Sequence, residues 1–302
     1  MTPFLTSQPR YTLDADVILS AATTLRLTEC LAKLRFRRTI YTDWNFASVD
    51  PMGLSTVLNF YGPPGTGKTL AAEAIAGQLK LQFLPLGIAE LESSLMGQTA
   101  KNIRAAFDTA REEQALLFFD EADTLLGKRL SSVTQGVDNE VNAMRSTMLI
   151  ELERFDGIVV FATNFEANYD QAFRSRIGYH IRFDLPDHDA RQRLWDRLMV
   201  AAIPLAAPRE QLLAACAAHS AGLSGRELRT CMRLALPKVL LAAEQSGEAP
   251  ALALRHLEEA IAEVRLALKE VATPAAAPSM NAPVIGRIDN DTGTALRMLG
   301  AA

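Results

Sequence analysis

The feature that most constrains this chain is an eight-residue stretch with glycine, lysine and threonine at fixed positions. It reads Gly62-Pro63-Pro64-Gly65-Thr66-Gly67-Lys68-Thr69 and fits the pattern G-x-x-x-x-G-K-[ST]. An apolar run at 57–61 precedes it and predicts a buried strand, and an Ala-rich stretch at 69–79 follows it and predicts a helix. A strand, a glycine-rich loop and a helix in this order direct backbone N–H groups and a helix N-terminus toward phosphate groups.

The residues of this loop have distinct expected roles. We expect Lys68 to reach the β- and γ-phosphates of ATP and the Thr69 hydroxyl to ligate Mg²⁺. The predicted nucleotide-binding residues here are Gly62, Pro63, Pro64, Gly65, Thr66, Gly67, Lys68, Thr69 and Leu70.

Composition excludes several classes of protein. The 302 residues are 49% hydrophobic, which suffices for one large or two moderate domains. The net charge of −4 argues against nucleic acid as a partner. Three widely spaced cysteines give neither a disulfide framework nor a zinc spacing. No signal peptide and no run long enough to span a bilayer is evident, so we expect a cytoplasmic protein without membrane contact.

Strand and helix patterns alternate through the middle of the chain. Candidate strands lie at 56–61, 81–86, 115–119, 157–162 and 179–183, with helices between them, notably 98–112 and 138–154. This alternation predicts an α/β fold with a five-stranded parallel sheet and helices on both faces. After Pro186 the pattern becomes wholly helical, near 188–201, 209–220, 224–245 and 251–270. The predicted organisation is an N-terminal helix (14–38) and connector within 1–55, a large domain at 56–186, a small helical lid at 187–271 and a flexible tail at 272–302.

Two carboxylates follow the third predicted strand, where ligands bind in open α/β sheets. We expect Asp120 to hold Mg²⁺ and Glu121 to act as general base on the attacking water. The tetrad Asp120-Glu121-Ala122-Asp123 is also that of one helicase family. We discount that alternative because the next strand ends in Ala162-Thr163-Asn164, where those helicases have Ser-Ala-Thr.

Four further polar residues complete the predicted site. Asn164, at the tip of the fourth strand, is expected to position the water between Glu121 and the γ-phosphate. An arginine supplied to a neighbour's γ-phosphate stabilises transition-state charge, and Arg176 is our choice for it, with Arg174 second. Arg226 follows a capping Ser224 or Gly225 and is expected to point back toward the nucleotide.

In their order along the chain, these motifs resemble those of the AAA+ ATPases over roughly residues 40–270. The resemblance implies a large α/β domain, a helical lid, a homo-hexameric ring with ATP between subunits, and pore loops that pull on a protein substrate. The pore loop aligns with Leu95 and Met96, where many members carry an aromatic residue, and 128–138 is a candidate second pore loop. The missing aromatic favours limited remodelling over processive unfolding.

Within the family, the chain resembles the pachytene-checkpoint type, which remodels HORMA-domain proteins. The residues that carry this are Asp170, Ala172, Phe173 and Arg176, with Val141-Asn142-Ala143 in the preceding helix. The short segment before the loop resembles bacterial members that act in anti-phage signalling. The alternatives are another AAA+ remodeller, such as an enzyme activase or an unfoldase, and an ATP-gated assembly switch with negligible turnover.

Overall fold

The structure is a computed structural model that describes residues 4–50, 55–91, 98–127, 135–164 and 169–272. It divides into two compact units, Met1–Val264 and Arg265–Ala302, and of the second only the end of the last helix is described. The helices are α1 (Leu13–Asp16), α2 (Ala21–Arg35), α3 (Lys68–Leu79), α4 (Ile88–Leu91), α5 (Gln98–Glu112), α6 (Asp123–Leu126), α7 (Gln135–Arg154), α8 (Gln171–Arg174), α9 (His188–Leu198), α10 (Arg209–His219), α11 (Gly225–Ser246) and α12 (Leu254–Ala272).

The five predicted strands form one parallel sheet, which confirms the α/β fold. They are β1 (Thr56–Tyr61), β2 (Gln82–Gly87), β3 (Ala115–Asp120), β4 (Ile158–Thr163) and β5 (Tyr179–Arg182). Their order across the sheet is β2-β3-β4-β1-β5, and every pairing is parallel. Because β3, β4 and β1 are neighbours, the segments that follow Tyr61, Asp120 and Thr163 meet at one edge of the sheet.

Each face of the sheet carries its own apolar core, because alternate residues of a strand point to opposite faces. On one face Phe119 stacks on Phe161 with ring centroids 5.3 Å apart, under α5 and α7. On the other, Phe118 and Leu58 pack against α3 and α2. Strands buried on both faces have continuous apolar sequences, which explains why the strand predictions succeed here.

An N-terminal strap, which we define as residues 5–35, crosses one face of the sheet from edge to edge. Ser7 forms an antiparallel bridge with Phe83 of edge strand β2, with N–O distances of 2.8 and 2.9 Å. Arg10 donates from its backbone N and its Nε to Glu73 of α3, at 3.0 and 3.2 Å. At the opposite edge the Thr23 hydroxyl donates to the carbonyl of Arg182, at the end of β5, at 2.9 Å. The strap therefore lies along both edge strands and the helix between them.

The single helix predicted at 14–38 is wrong at its start. The short helix α1 ends at Asp16, and α2 begins only after Ser20, whose side chain accepts from the backbone N–H of Thr23 at 3.3 Å. Ser20 therefore caps α2. The break lets Val17 and Leu19 pack against the sheet, and this tertiary contact outweighs local helix propensity.

The helices after β5 enclose a third apolar core. Trp195 lies at its centre and donates from Nε1 to the Ser220 hydroxyl at 2.9 Å. Asp187 caps α9 by accepting from the N–H of Ala190 at 2.8 Å. Arg197 of α9 donates to the strap at Ala15 O (2.8 Å) and Asp16 Oδ1 (2.7 Å). Among the described residues, no helix combines the length and apolar character needed to cross a membrane.

One buried polar side chain in β1 predicts a stabilising substitution. Asn59 is fully buried, and neither its Oδ1 nor its Nδ2 has a hydrogen-bond partner in the described part of the chain. Because an unpaired buried amide destabilises the folded state, Asn59→Leu should raise the unfolding free energy by about 1–3 kcal/mol. Thermal melts should show this as roughly 2–4 °C per kcal/mol. Asn59→Ala, which leaves a cavity, is the control, and a lower melting point for Asn59→Leu contradicts the prediction.

Candidate functional site

The glycine-rich loop lies between β1 and α3 and presents a row of backbone donors. The N–H groups of residues 65–70 donate to no other residue in the described part of the chain. Gly67 has a φ of +102°, a conformation that L side chains rarely adopt, and no heavy atom lies within 4 Å of where its Cβ would be. The Thr66 hydroxyl fixes the start of the loop by donating to the carbonyl of Pro63 at 2.8 Å. An open concavity lined by backbone N–H groups fits a chain of phosphates.

A nearly buried ammonium group closes this loop. Lys68 is 8% exposed, and its Nζ donates to the carbonyls of Gly62 (2.7 Å) and Pro63 (2.9 Å) and to Oδ1 of Asn164 (3.0 Å). Burial lowers the pKa of Lys68, whereas the charges of Asp120 and Asp123 act in the opposite direction. The last contact joins the loop to the tip of β4.

A hydroxyl group and a carboxylate face each other across the loop and the end of β3. The Thr69 hydroxyl donates to Oδ2 of Asp120 at 3.2 Å, and the N–H of Glu121 donates to Oδ1 of the same carboxylate at 3.0 Å. A hydroxyl and a carboxylate at this separation fit the ligand set of Mg²⁺, which binds few protein oxygens and keeps several waters.

Glu121 has an unusual backbone conformation. Its φ of +53° lies in the left-handed region, which a glutamate rarely adopts. Strain of this kind persists where surrounding contacts enforce it, and it concentrates at functional sites. Here the N–H of Glu121 is held by Asp120, and the N–H of Ala122 donates to the carbonyl of Ala162 at 2.9 Å. These bonds hold the backbone of Glu121 next to Asp120, and its side chain is exposed.

A carboxylate that sequence reasoning left aside connects β3 to β4. Oδ1 of Asp123 accepts from the Thr163 hydroxyl and, at 3.2 Å, from the backbone N–H of Asn164. These bonds hold the tip of β4 in the position from which Asn164 reaches Lys68. The signal was present in the sequence, because Asp123 is the last residue of the tetrad that we discounted as a helicase motif.

The small helical region closes on the loop through the start of α11. The backbone N–H of Arg226 donates to the carbonyl of Gly65 at 3.2 Å. A Cβ on Gly65 would lie 2.7 Å from Ser224 Oγ and 2.8 Å from Arg226 Cβ, so only glycine permits this approach. Ser224 and Glu227 form a capping box that fixes the first turn of α11. The charge of Arg226 is close enough to lower the pKa of Lys68.

The two candidate arginines lie apart from this cluster. Arg176 follows α8 and forms an ion pair with Glu153 at the end of α7, where its Nε donates to Oε1 at 3.0 Å. Arg174 is exposed. Burial of His180 lowers the pKa of that histidine, and the nearby charge of Arg174 lowers it further. Within the described residues, no hydrogen bond joins either arginine to Lys68, Asp120 or Asn164.

The sequence of the chain was compared with protein families and with known proteins. Residues 58–185 match the family described as "ATPase family associated with various cellular activities (AAA)". This part of the chain is similar in sequence to that family and has the AAA+ fold. The proteasome-activating nucleotidase of Methanopyrus kandleri is 36% identical over 142 residues, which cover 45% of this chain and 32% of that protein. The uncharacterized AAA family ATPase y4kL of Sinorhizobium fredii is 35% identical over 176 residues, 57% of this chain and 50% of that protein. The chain thus spans about a third to a half of the length of these relatives.

A solved AAA domain has the same fold. The crystal structure of the FIGL-1 AAA domain in complex with ADP superposes with a TM-score of 0.64 at 21% identity, covering 91% of this chain and 89% of that one. At this identity the likeness establishes the fold.

Of the remaining predicted site residues, some lie in the described part of the chain and others lie outside it. Pro64 precedes the row of N–H groups and is exposed, and Leu70 carries the last N–H group of the row and is partly buried. Leu95 and Met96, and residues 128–134 of the second candidate pore loop, lie outside the described residues. Sequence reasoning missed Glu153, because it meets Arg176 only when the segment after α8 lies beside the end of α7, 23 positions away in the chain.

Proposed function

We propose that this protein is an AAA+ ATPase that assembles into a homo-hexameric ring and uses ATP hydrolysis to remodel a partner protein. The observation that carries this is the contact set at the sheet edge. Lys68 reaches Asn164, Thr69 reaches Asp120, and α11 closes on Gly65. Residues from β1, β3, β4 and the helical region thus surround one phosphate-binding loop.

Each group has a role in hydrolysis. The N–H groups of 65–70 and Lys68 bind the phosphates of ATP, and Asn164 orients the water that attacks the γ-phosphate. Thr69 and Asp120 would hold Mg²⁺, which neutralises phosphate charge when bound. Glu121 takes the proton of the attacking water as general base. The large domain at 56–186 supplies these residues, and the lid at 187–271 contributes Arg226, which senses the nucleotide.

The ring supplies what a single subunit lacks. In this proposal Arg176 reaches the γ-phosphate bound by the neighbouring subunit, with Arg174 as the alternative. The support for a role in trans is that, within the described residues, Arg176 bonds to Glu153, Ala172 and Ser175 and not to Lys68 or Asn164. The pore loop with Leu95 and Met96 grips the protein substrate through apolar contacts. The relative from Methanopyrus kandleri, by its name, activates a proteasome, which is also work on a protein.

For the substrate we propose a HORMA-domain protein in a bacterial anti-phage system. The support is the sequence pattern of Val141-Asn142-Ala143 and of Asp170, Ala172, Phe173 and Arg176. Two of these also have structural duties, since Asp170 caps α8 by accepting from the N–H of Ala172 at 2.8 Å and Phe173 is fully buried. The test of this assignment is therefore direct identification of the partner protein.

Capture with a hydrolysis-deficient variant tests the proposal. Glu121→Gln should bind ATP, hydrolyse it slowly and retain the partner, because release requires turnover. The pull-down is made from the native cell with ATP and without nucleotide, and the bound proteins are identified by mass spectrometry. Lys68→Ala, which loses the phosphate contact, is the matched control and should retain nothing.

The outcomes separate the alternatives. A HORMA-domain protein retained only with ATP supports the full proposal. A different protein, such as an enzyme or a protease, supports a different AAA+ remodeller and excludes the HORMA assignment. If the wild type assembles with ATP but shows no turnover, the protein is an ATP-gated switch.

A further inference from the structure

The ion pair between Arg176 and Glu153 orients the guanidinium group in a defined way. The Nε and Nη2 groups both donate to Oε1 of Glu153, and Nη1 donates to the carbonyl of Ala172 at 2.8 Å. Nη1 also donates to the Ser175 hydroxyl, at 3.4 Å. The side chains of Arg176 and Glu153 are 31% and 36% exposed, so the pair lies at the surface.

Counting donors shows what this arrangement leaves available. A guanidinium has five N–H donors in a rigid planar fork. Glu153 takes one from Nε and one from Nη2, and Nη1 donates to the carbonyl of Ala172 and to the Ser175 hydroxyl, so one donor on Nη2 remains. The bond to Ser175 is long, at 3.4 Å, and is the one that a phosphate oxygen would replace, so that both terminal nitrogens can bind phosphate.

Glu153 is itself well placed to act as a fixed support. It lies in the last turn of α7, a helix of 20 residues whose buried side chains Met144, Met148 and Leu152 pack into the core of the sheet. Its carboxylate therefore projects from a rigid element, and Phe173, fully buried in the same core, anchors the segment that carries Arg176. Groups held on rigid elements keep a catalytic geometry better than groups on free loops.

We propose that Glu153 is a positioning residue that presents the guanidinium of Arg176 to the γ-phosphate bound by the neighbouring subunit. Glu153 holds the Nε and Nη2 groups of the guanidinium, and the carbonyl of Ala172 limits its rotation. This lowers the conformational entropy that a long arginine side chain loses in the transition state. The proposal rests on the proposed function, because it needs Arg176 to act in trans.

Steady-state kinetics of the full chain with ATP and Mg²⁺ tests this role. Glu153→Ala should lower kcat roughly 10- to 100-fold, the cost of a misplaced catalytic group, and leave KM for ATP within about twofold. Glu153→Gln keeps an Oε1 acceptor of the same reach and should retain activity within about threefold of wild type. The double variant Glu153→Ala/Arg176→Ala should be no slower than Arg176→Ala alone, because the two residues act as one unit.

Controls separate failure of this proposal from failure of the proposed function. Glu29→Ala removes another surface glutamate paired with an arginine, Arg26, and should leave kcat unchanged. Thermal melts of each variant exclude unfolding as the cause. If Arg176→Ala turns over ATP like wild type, the arginine assignment fails and this proposal fails with it. If Arg176→Ala is slow but Glu153→Ala is not, or the two losses multiply in the double variant, only the role of Glu153 is overturned.

Discussion

Replacing Arg176 with alanine is expected to reduce ATP turnover by roughly 10³- to 10⁵-fold, the effect of losing a trans-acting arginine in phosphoryl transfer. The reason is electrostatic. The guanidinium stabilises charge that develops on the γ-phosphate, so its loss lowers kcat far more than it weakens ATP binding. Phosphate release by the assembled ring measures kcat, and equilibrium binding of a fluorescent ATP analogue measures affinity.

Mixing two inactive variants tests whether Arg176 acts across the subunit interface. An Arg176→Ala subunit still has Glu121, and a Glu121→Gln subunit still has Arg176. In an equal mixture about a quarter of the head-to-tail interfaces would combine an intact Glu121 with an intact Arg176, and turnover should reappear. Arg174→Ala is the matched control and should change kcat by only a few-fold. No recovery in the mixture would place the arginine's action within one subunit.

Glu121→Gln is expected to slow hydrolysis by roughly 10²- to 10⁴-fold, the range that general-base catalysis contributes. Glutamine has the same length as glutamate but cannot accept the proton of the attacking water. The backbone contacts of residue 121 and the Thr69–Asp120 pair do not depend on its charge, so ATP affinity should stay within about threefold. Single-turnover hydrolysis and nucleotide binding separate the two quantities.

A second glutamate provides the control for this substitution. Glu112 is exposed at the end of α5 and has no role in the proposed site, so Glu112→Gln should hydrolyse ATP at the wild-type rate. Turnover by Glu121→Gln at the wild-type rate would contradict the general-base assignment. Loss of ATP binding in the same variant would show that the strained backbone at residue 121 depends on the carboxylate.

The parts of the fold that were predictable are those with a strong local signal. The central strands are continuous apolar runs such as Leu116–Phe119, and the loop at 62–69 carries a motif whose flanking elements fit it. Helix α5 is confirmed at its predicted bounds because its buried residues Ile103, Phe107 and Ala110 recur at helical spacing.

The features that sequence reasoning missed depend on contacts between distant residues. The break at 17–20 follows from the packing of Val17 and Leu19 on the sheet, which no local propensity reports. The pairing of Glu153 with Arg176 arises only when α7 and α8 are placed beside each other. Asp123 was visible, but its bonds to Thr163 and Asn164 require that β3 and β4 be known neighbours.

The N-terminal strap has a consequence for how the protein is made. Its anchor Thr23 leaves the ribosome 159 residues before Arg182, the carbonyl it finally contacts. At bacterial and eukaryotic elongation speeds this interval lasts roughly ten to thirty seconds. During that time the apolar side chains of Val17, Leu19 and Leu27 have no completed sheet to cover. We therefore expect the nascent strap to be a binding site for ribosome-associated chaperones, and its docking to be among the last events of folding.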